Sequence, residues 1–477
     1  MKIPAFFLML FCLSTSYLAK AQIVTVSEEL TIRNDIAYEI VGKMKERTLL
    51  FRVKENEYEV QAFDEKLRLS WSKELEFEKK KVDIVEVVPS PNNDEFYVIY
   101  QYRQKGHPIL KIHTYDPAAN LRDSITVKDF GVKLNSPNIE VIESESHRKL
   151  LLYHIEDQKD IQAFAIDLDE MEVMWEYSFQ PDDWYVYRDF REVLISNAGE
   201  MFFISEKDNR SLKKAEHRFE MYFYNLRTNK LDLINIPFDD HLTYDVNFTF
   251  DNLNKQLIAA GLYSEDNRGR ANGYYFLRFD PYNADARVFN FHEFDPKLVA
   301  TIMEKKESKI KGLTEAKVQD IVMRRDGGIL LVGERNKHYE RRMVSNRTYA
   351  NGAARNIVDY YYDDIFVISI HPSGESHWEK ILHKRQYSQD DDAIYSSYFL
   401  LKTPSSLRFL FNDEIRQENT VSEYIIKGDG LTDRNSIFST GAQEIRLRFR
   451  DALQVASNEL LIPSQRRHKL KLVNVTY

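Results

Sequence analysis

The chain has 12 histidines but a single cysteine among its 477 residues. No two histidines stand four apart, and the most acidic histidine neighbourhood, His292-Glu293-Phe294-Asp295, lacks a second one. That excludes a helix-borne zinc site of the His-x-x-x-His kind. Cys12 lies in the first apolar run, so the rest of the chain has no thiolate for metal binding, disulfide formation or nucleophilic attack. Gly-x-Ser-x-Gly, Gly-x-Gly-x-x-Gly and a phosphate-cradling Gly-Lys-Ser/Thr loop are all missing. No metal and no cofactor is expected. The remaining catalytic type is the carboxylate pair: Asp182-Asp183, Asp239-Asp240, Asp363-Asp364 and Asp390-Asp391-Asp392. Two acids distant in sequence can cleave a glycosidic bond when the fold brings them together. The same residues in inter-strand turns are ordinarily solvated, and Asp390 to Asp392 lacks the glycine-spaced calcium pattern.

Binding chemistry is concentrated in three segments, 206–218, 264–273 and 335–362. They carry Lys213, Lys214, Arg268, Arg270, Arg335, Tyr339, Arg341, Arg342, Arg347, Tyr349, Tyr360 and Tyr361. Arginine and tyrosine combine planar area with directional hydrogen bonds, which suits contact surfaces. Against a net charge of −9 this is a local cationic bias, and it points to a protein or an anionic glycan as partner. The overall acidity excludes a general nucleic-acid binder, because phosphate neutralisation needs a cationic surface. The alternative for 339–362 is a solvated hairpin whose tyrosines pack along its own ribbon.

The elements that must hold these segments are strands in a repeat. Tyr58 to Lys73 aligns without a gap on Ile365 to Lys380, an offset of 307, with Trp71 over Trp378. Each is a strand, a tight turn and a second strand. Weaker copies span 109–123, 162–175, 221–233 and 274–289, and an Asp or Asn in each turn suits side chain to backbone turn bonds. Upstream of the hairpins recur short apolar strands such as Phe96 to Tyr100, Met201 to Ser205 and Leu257 to Gly261, at intervals of roughly 50 residues. Further upstream lie alternating strands, among them Ile84 to Val88, Ile139 to Glu143, Val193 to Ser196 and Val318 to Met323.

Four strands per unit make an all-β chain, a β-propeller of about eight blades, or seven if the two stretched units are merged. The terminal segments 444–450, 459–463 and 469–477 supply three strands and Ile23 to Ile32 a fourth, so the two ends of the chain share the closing blade. Two insertions are expected: a helix over 296–311 and a long loop over 335–362. In a propeller the second-to-third turns and the blade-to-blade connections emerge on one face. The three basic segments therefore share a face.

Asp326-Gly327-Gly328-Ile-Leu-Leu-Val332-Gly333, followed by Asp364 to Gly374 and Trp378-Glu-Lys380, resembles the repeats of bacterial secreted β-propellers. The resemblance implies the fold and leaves function open, since propellers host both binding and catalysis. The N-terminus fits export: Lys2, an apolar run from Ile3 to Leu18, then Ala19-Lys20-Ala21 as a cleavage site. Residues 1–21 are thus expected to be a signal peptide and 22–477 a single secreted or periplasmic domain that does not span a membrane. The expected function is non-enzymatic binding or scaffolding through the face with the basic, tyrosine-rich segments. The alternative is a carbohydrate-active propeller, hydrolase or lyase, with carboxylates at the axis.

Overall fold

In a computed structural model of the protein, residues 22–55, 57–343, 355–415 and 420–477 are described. They form eight antiparallel sheets: blade 1 (35–74), blade 2 (83–129), blade 3 (140–179), blade 4 (190–237), blade 5 (242–293), blade 6 (316–382), blade 7 (399–439) and blade 8 (453–476 with 23–26). The count is eight. The first strand of each blade pairs only with the second, and from blade 8 through blade 6 the first strands touch in succession around the axis. The upper face carries the second-to-third turns and the blade-to-blade connections.

Burial explains why the strands read as they do. The second strands are covered by neighbouring blades on both sides, so Phe96–Gln104 is buried through its first seven residues and Met201–Lys207 throughout. Such strands are continuous apolar runs. Outer strands such as Leu121–Asp129 face solvent and are mostly polar. The two glycines that end the apolar runs of blades 5 and 6 have a packing cause. Gly261 pairs with Tyr275 and Gly333 with Phe366, and a Cβ on either glycine would stand 2.6 and 2.0 Å from the partner's ring. The aromatic ring lies across the strand where a side chain would otherwise be. The turn acids act as punctuation: Asp64 Oδ1 accepts from the backbone N–H groups of Lys66 and Arg68, and Asp116 Oδ1 from those of Ala118 and Asn120.

Blade 8 is shared by the chain ends. Ile23–Val26 is its outermost strand, with Ile23 opposite Thr476 and Val26 opposite Val473. Ser27 reinforces the seam by donating its N–H to the Leu472 carbonyl and accepting the Leu472 N–H at its hydroxyl. The inner strand of this blade is Leu453–Ala456, not 444–450. Leu447 and Phe449 plug the core between blades 7 and 8, which turns their backbone into a single bridge to Ser464 and a short 3-10 turn.

The insertions differ from expectation in form. The helix covers only Pro296–Met303, with Asp295 as its N-cap, and ends where Glu304 turns left-handed; a separate 3-10 turn comes next at Glu307–Lys309. Leu298, Val299 and Ile302 join the core between blades 5 and 6. The segment 335–362 is a β-ribbon rather than a loop. Blade 6's middle strands, Ile329–Met343 and Arg355–Ile370, stay paired out to Met343 opposite Arg355, and Gln386–Gln389 adds a third strand along Asp359 to Tyr362. Tyrosine and β-branched residues favour this extension. Among the described residues no helix is long and apolar enough to cross a membrane.

Candidate functional site

Among the described residues, most cations of the three basic segments are paired with acids. Arg341 bonds Asp359 at 2.5 Å, and Arg270 bonds Asp266 at 2.8 Å. Lys213 lies 3.0 Å from Glu216, and Arg335 sits between Glu315 and Asp363. Tyr361 packs on Tyr387 with ring centroids 4.9 Å apart, and Tyr360 stands edge-on to His338. The ribbon's tyrosines thus pack largely along the ribbon. Arg268 is exposed, Lys214 half-buried and Tyr339 54% exposed. The backbone of Arg342 belongs to the ribbon, while Arg347 and Tyr349 lie outside the described residues.

The upper face has a different focus. A cavity of about 980 Å³ opens at the axial mouth over blades 8, 1 and 2. Three pieces of chain line it: 32–40, which leads into the inner strand of blade 1; 448–453, which leads into blade 8; and 463–468, at the second-to-third turn of blade 8. Glu86 of blade 2 completes it. Two of its charged pairs are internally satisfied. Asp35 holds the buried Arg52 through two bonds of 2.7 and 2.9 Å. Arg448 pairs with Asp451 at 2.5 Å, donates to the Tyr38 hydroxyl at 2.9 Å and also contacts Gln465. Three exposed guanidiniums remain: Arg33, Arg450 and Arg467. No carboxylate of the described residues pairs with any of them; Arg450 reaches only the Tyr362 hydroxyl.

The floor of the cavity is acidic. Glu39 and Glu86 receive no hydrogen bond or ion pair from the described residues, and both stand on inner strands at the axis. Burial, together with the charges of Glu86 and Glu143, pushes Glu39 up to about 8. Burial and the charges of Glu143 and Glu140 raise Glu86 as well. Glu39 is therefore mainly a neutral carboxylic acid at neutral pH, able to donate as well as accept.

These acids belong to a set that the sequence reading overlooked. In blades 2, 4, 5 and 6 a β-bulge interrupts the inner strand, and the residue after it is acidic: Glu86, Glu192, Asp245 and Asp320. Glu39 and Glu140 stand on the inner strands of blades 1 and 3. Each is followed by a β-branched residue, as in Glu39-Ile40, Glu86-Val87, Glu140-Val141, Glu192-Val193, Asp245-Val246 and Asp320-Ile321, a two-residue signal on the inner strands of six of the eight blades. In blades 4 to 6 the acid reaches the next blade: Glu192 accepts the Phe248 N–H and Asp245 the Val318 N–H, both at 2.8 Å, and Asp320 accepts the Tyr398 hydroxyl at 2.8 Å. The acidic pairs singled out from sequence do not line the cavity. Asp183 pairs with Arg188, Asp363 lies near Arg335, Asp364 meets His383, and Asp391 lies near Arg446. Among the described residues no three His, Cys, Asp or Glu side chains gather as a metal-holding group.

No protein-family model matches the chain, and no curated protein matches it. Solved structures resemble it as propellers. The Dos1 propeller is 8% identical, with 94% of this chain and 95% of that one covered and a TM-score of 0.46. An oligogalacturonate lyase in complex with manganese is 8% identical over 95% and 98% of the two chains, TM-score 0.41. A Porphyromonas gingivalis dipeptidyl peptidase 4 is 11% identical over 91% of this chain but only 56% of its own, TM-score 0.47. The chain is similar to these proteins in its β-propeller fold.

Proposed function

We propose that the protein is a binding propeller that takes an anionic partner at the axial mouth of its upper face. One observation carries this reading: the arginines of that mouth lacking a carboxylate partner, Arg33, Arg450 and Arg467, line one cavity of about 980 Å³, whereas the described cations of the ribbon and neighbouring segments are mostly bound to acids. Guanidinium groups not already paired bind carboxylate or sulfate through forked hydrogen bonds.

The test compares retention on immobilised polyanions for three full-length proteins: the native chain, the triple variant R33E/R450E/R467E, and a form with 335–362 replaced by a short turn. Loss of retention in the triple variant alone is expected. Loss in the shortened form alone would move the site to the ribbon, and no retention of the native chain at low salt would refute the reading. A second reading of the same cavity is acid–base catalysis, favoured by Glu39, which holds its proton at neutral pH as a general acid must. It predicts turnover that E39Q abolishes without loss of binding.

A further inference from the structure

The charges of the axial cleft can be followed one by one. Asp35 is neutralised by Arg52 and Asp451 by Arg448. Glu39 carries a proton below about pH 8. Three exposed guanidiniums then stand against Glu86 alone, so the cleft is net cationic in a protein of net charge −9. Its neutral polar groups are of a particular kind. The Glu39 carboxyl has no partner among the described residues, and the Tyr38 hydroxyl and the Gln465 amide, which bond each other and Arg448, keep an open lone pair and an open amide hydrogen. Such groups complement hydroxyls, which both donate and accept. The cavity's 980 Å³ lies at the upper end of the range of about 300–1,000 Å³ typical of small-molecule sites, and it is built from three separate stretches of chain. It accommodates a chain of rings rather than a single one.

We infer that the ligand of this cleft is an acidic glycan, a hydroxyl-rich chain bearing carboxylate or sulfate groups, with Arg33, Arg450 and Arg467 reading the anions and Glu39, Tyr38 and Gln465 the hydroxyls. The inference rests on the cleft being the ligand site. An acidic peptide presents carboxylates as well, but it lacks the dense hydroxyls that the neutral groups of the floor would meet. A nucleic acid brings one phosphate per nucleotide past Glu86, with only three guanidiniums to receive them.

The experiment titrates the full chain by calorimetry at pH 6.5 with four probes of similar length: a polyuronate hexamer, its methyl ester, a sulfated hexasaccharide and a hexaglutamate peptide. Polyuronate or sulfated hexasaccharide should bind at least ten-fold more tightly than hexaglutamate, the stronger of the two naming the anionic group. The methyl ester should lose at least ten-fold against polyuronate. E39Q, which keeps donor and acceptor, should retain binding, whereas E39A should weaken the glycan and leave hexaglutamate unchanged. Hexaglutamate binding as tightly as both glycans would overturn the inference while leaving an anion-binding cleft intact. Binding of the methyl ester as tight as that of the strongest acidic glycan would overturn it too, by showing that the anions are not read. Failure of all four probes would refute the cleft as a ligand site.

Discussion

The ring uses one position in two ways. In blades 4 to 6 the acid near the start of the inner strand reaches across to the next blade and accepts a backbone N–H or a tyrosine hydroxyl, so it fastens neighbours together. In blades 1 and 2 the corresponding acids, Glu39 and Glu86, bond no partner among the described residues and face a cavity. The difference lies in the partner that the next blade offers. Phe248 and Val318 present inner-strand amides to the acid before them, whereas Glu39 meets Glu86, and Glu86 meets Glu140 and Glu143. Burial first, and then the neighbouring carboxylates, favours the protonated form at both positions. Where the ring is fastened these acids are bonded to the next blade, and where it is not, they line a cavity.

That contrast can be broken most sharply at Asp245. Asp245→Ala removes the acceptor for the Val318 N–H and should cost about 1–3 kcal/mol, read as a lower denaturant midpoint. Asp245→Asn keeps an oxygen there and should cost less. Glu86→Ala removes no hydrogen bond and should leave stability at pH 6 nearly unchanged; a loss as large as that of Asp245→Ala would erase the distinction between the two sectors.

The next largest effect is a pH dependence. Because the folded protein holds the Glu39 proton more tightly than the unfolded chain, this group's contribution is fully present below its ordinary carboxylate range. It is lost as pH rises through about 8. Glu39→Gln should therefore match the native chain in melting temperature at pH 4.5 and melt higher at pH 9. A constant difference across that range would show that Glu39 is not held neutral in the fold. The smallest effect is expected at the exposed ion pair of Lys213 with Glu216 on the upper face: Lys213→Ala should change stability by ~0–1 kcal/mol.

The fold was legible because the second strands are buried on both faces and so announce themselves as apolar runs at a steady spacing. The closing strand at Ile23–Val26 emerged from counting strands at the two ends. Loop form was less legible: Tyr360, Tyr361 and Tyr362 read either as a contact surface or as residues packed along a hairpin, and pairing with Gln386–Gln389, outside the hairpin, widens it to a three-stranded ribbon. The candidate site was hidden for two reasons. Its arginines, Arg33, Arg450 and Arg467, are single residues in three unrelated connections, and only ring closure brings them together. Its acids occupy two-residue words beside β-bulges, and a bulge shifts the alternation by one residue just where a period-two reading looks for it. Asp-Asp pairs were conspicuous by being adjacent, yet adjacency in a strand protein places side chains on opposite faces.

The seam in blade 8 also dictates an order of events. Ser27 and Leu472 are 445 positions apart, yet they exchange hydrogen bonds within one sheet. In a chain made from its N-terminus, the first strand has no native neighbour until the last strand is finished. It must wait, unpaired, through the synthesis of seven other blades. Contacts of such long separation form slowly, and an unpaired strand is open to the wrong partners meanwhile. The axial cleft, whose walls come from both sides of that seam, comes into being only at the final step. A chain stalled short of its last strand would have most of its blades and every residue that lines the cleft, but not the closed blade that brings them together.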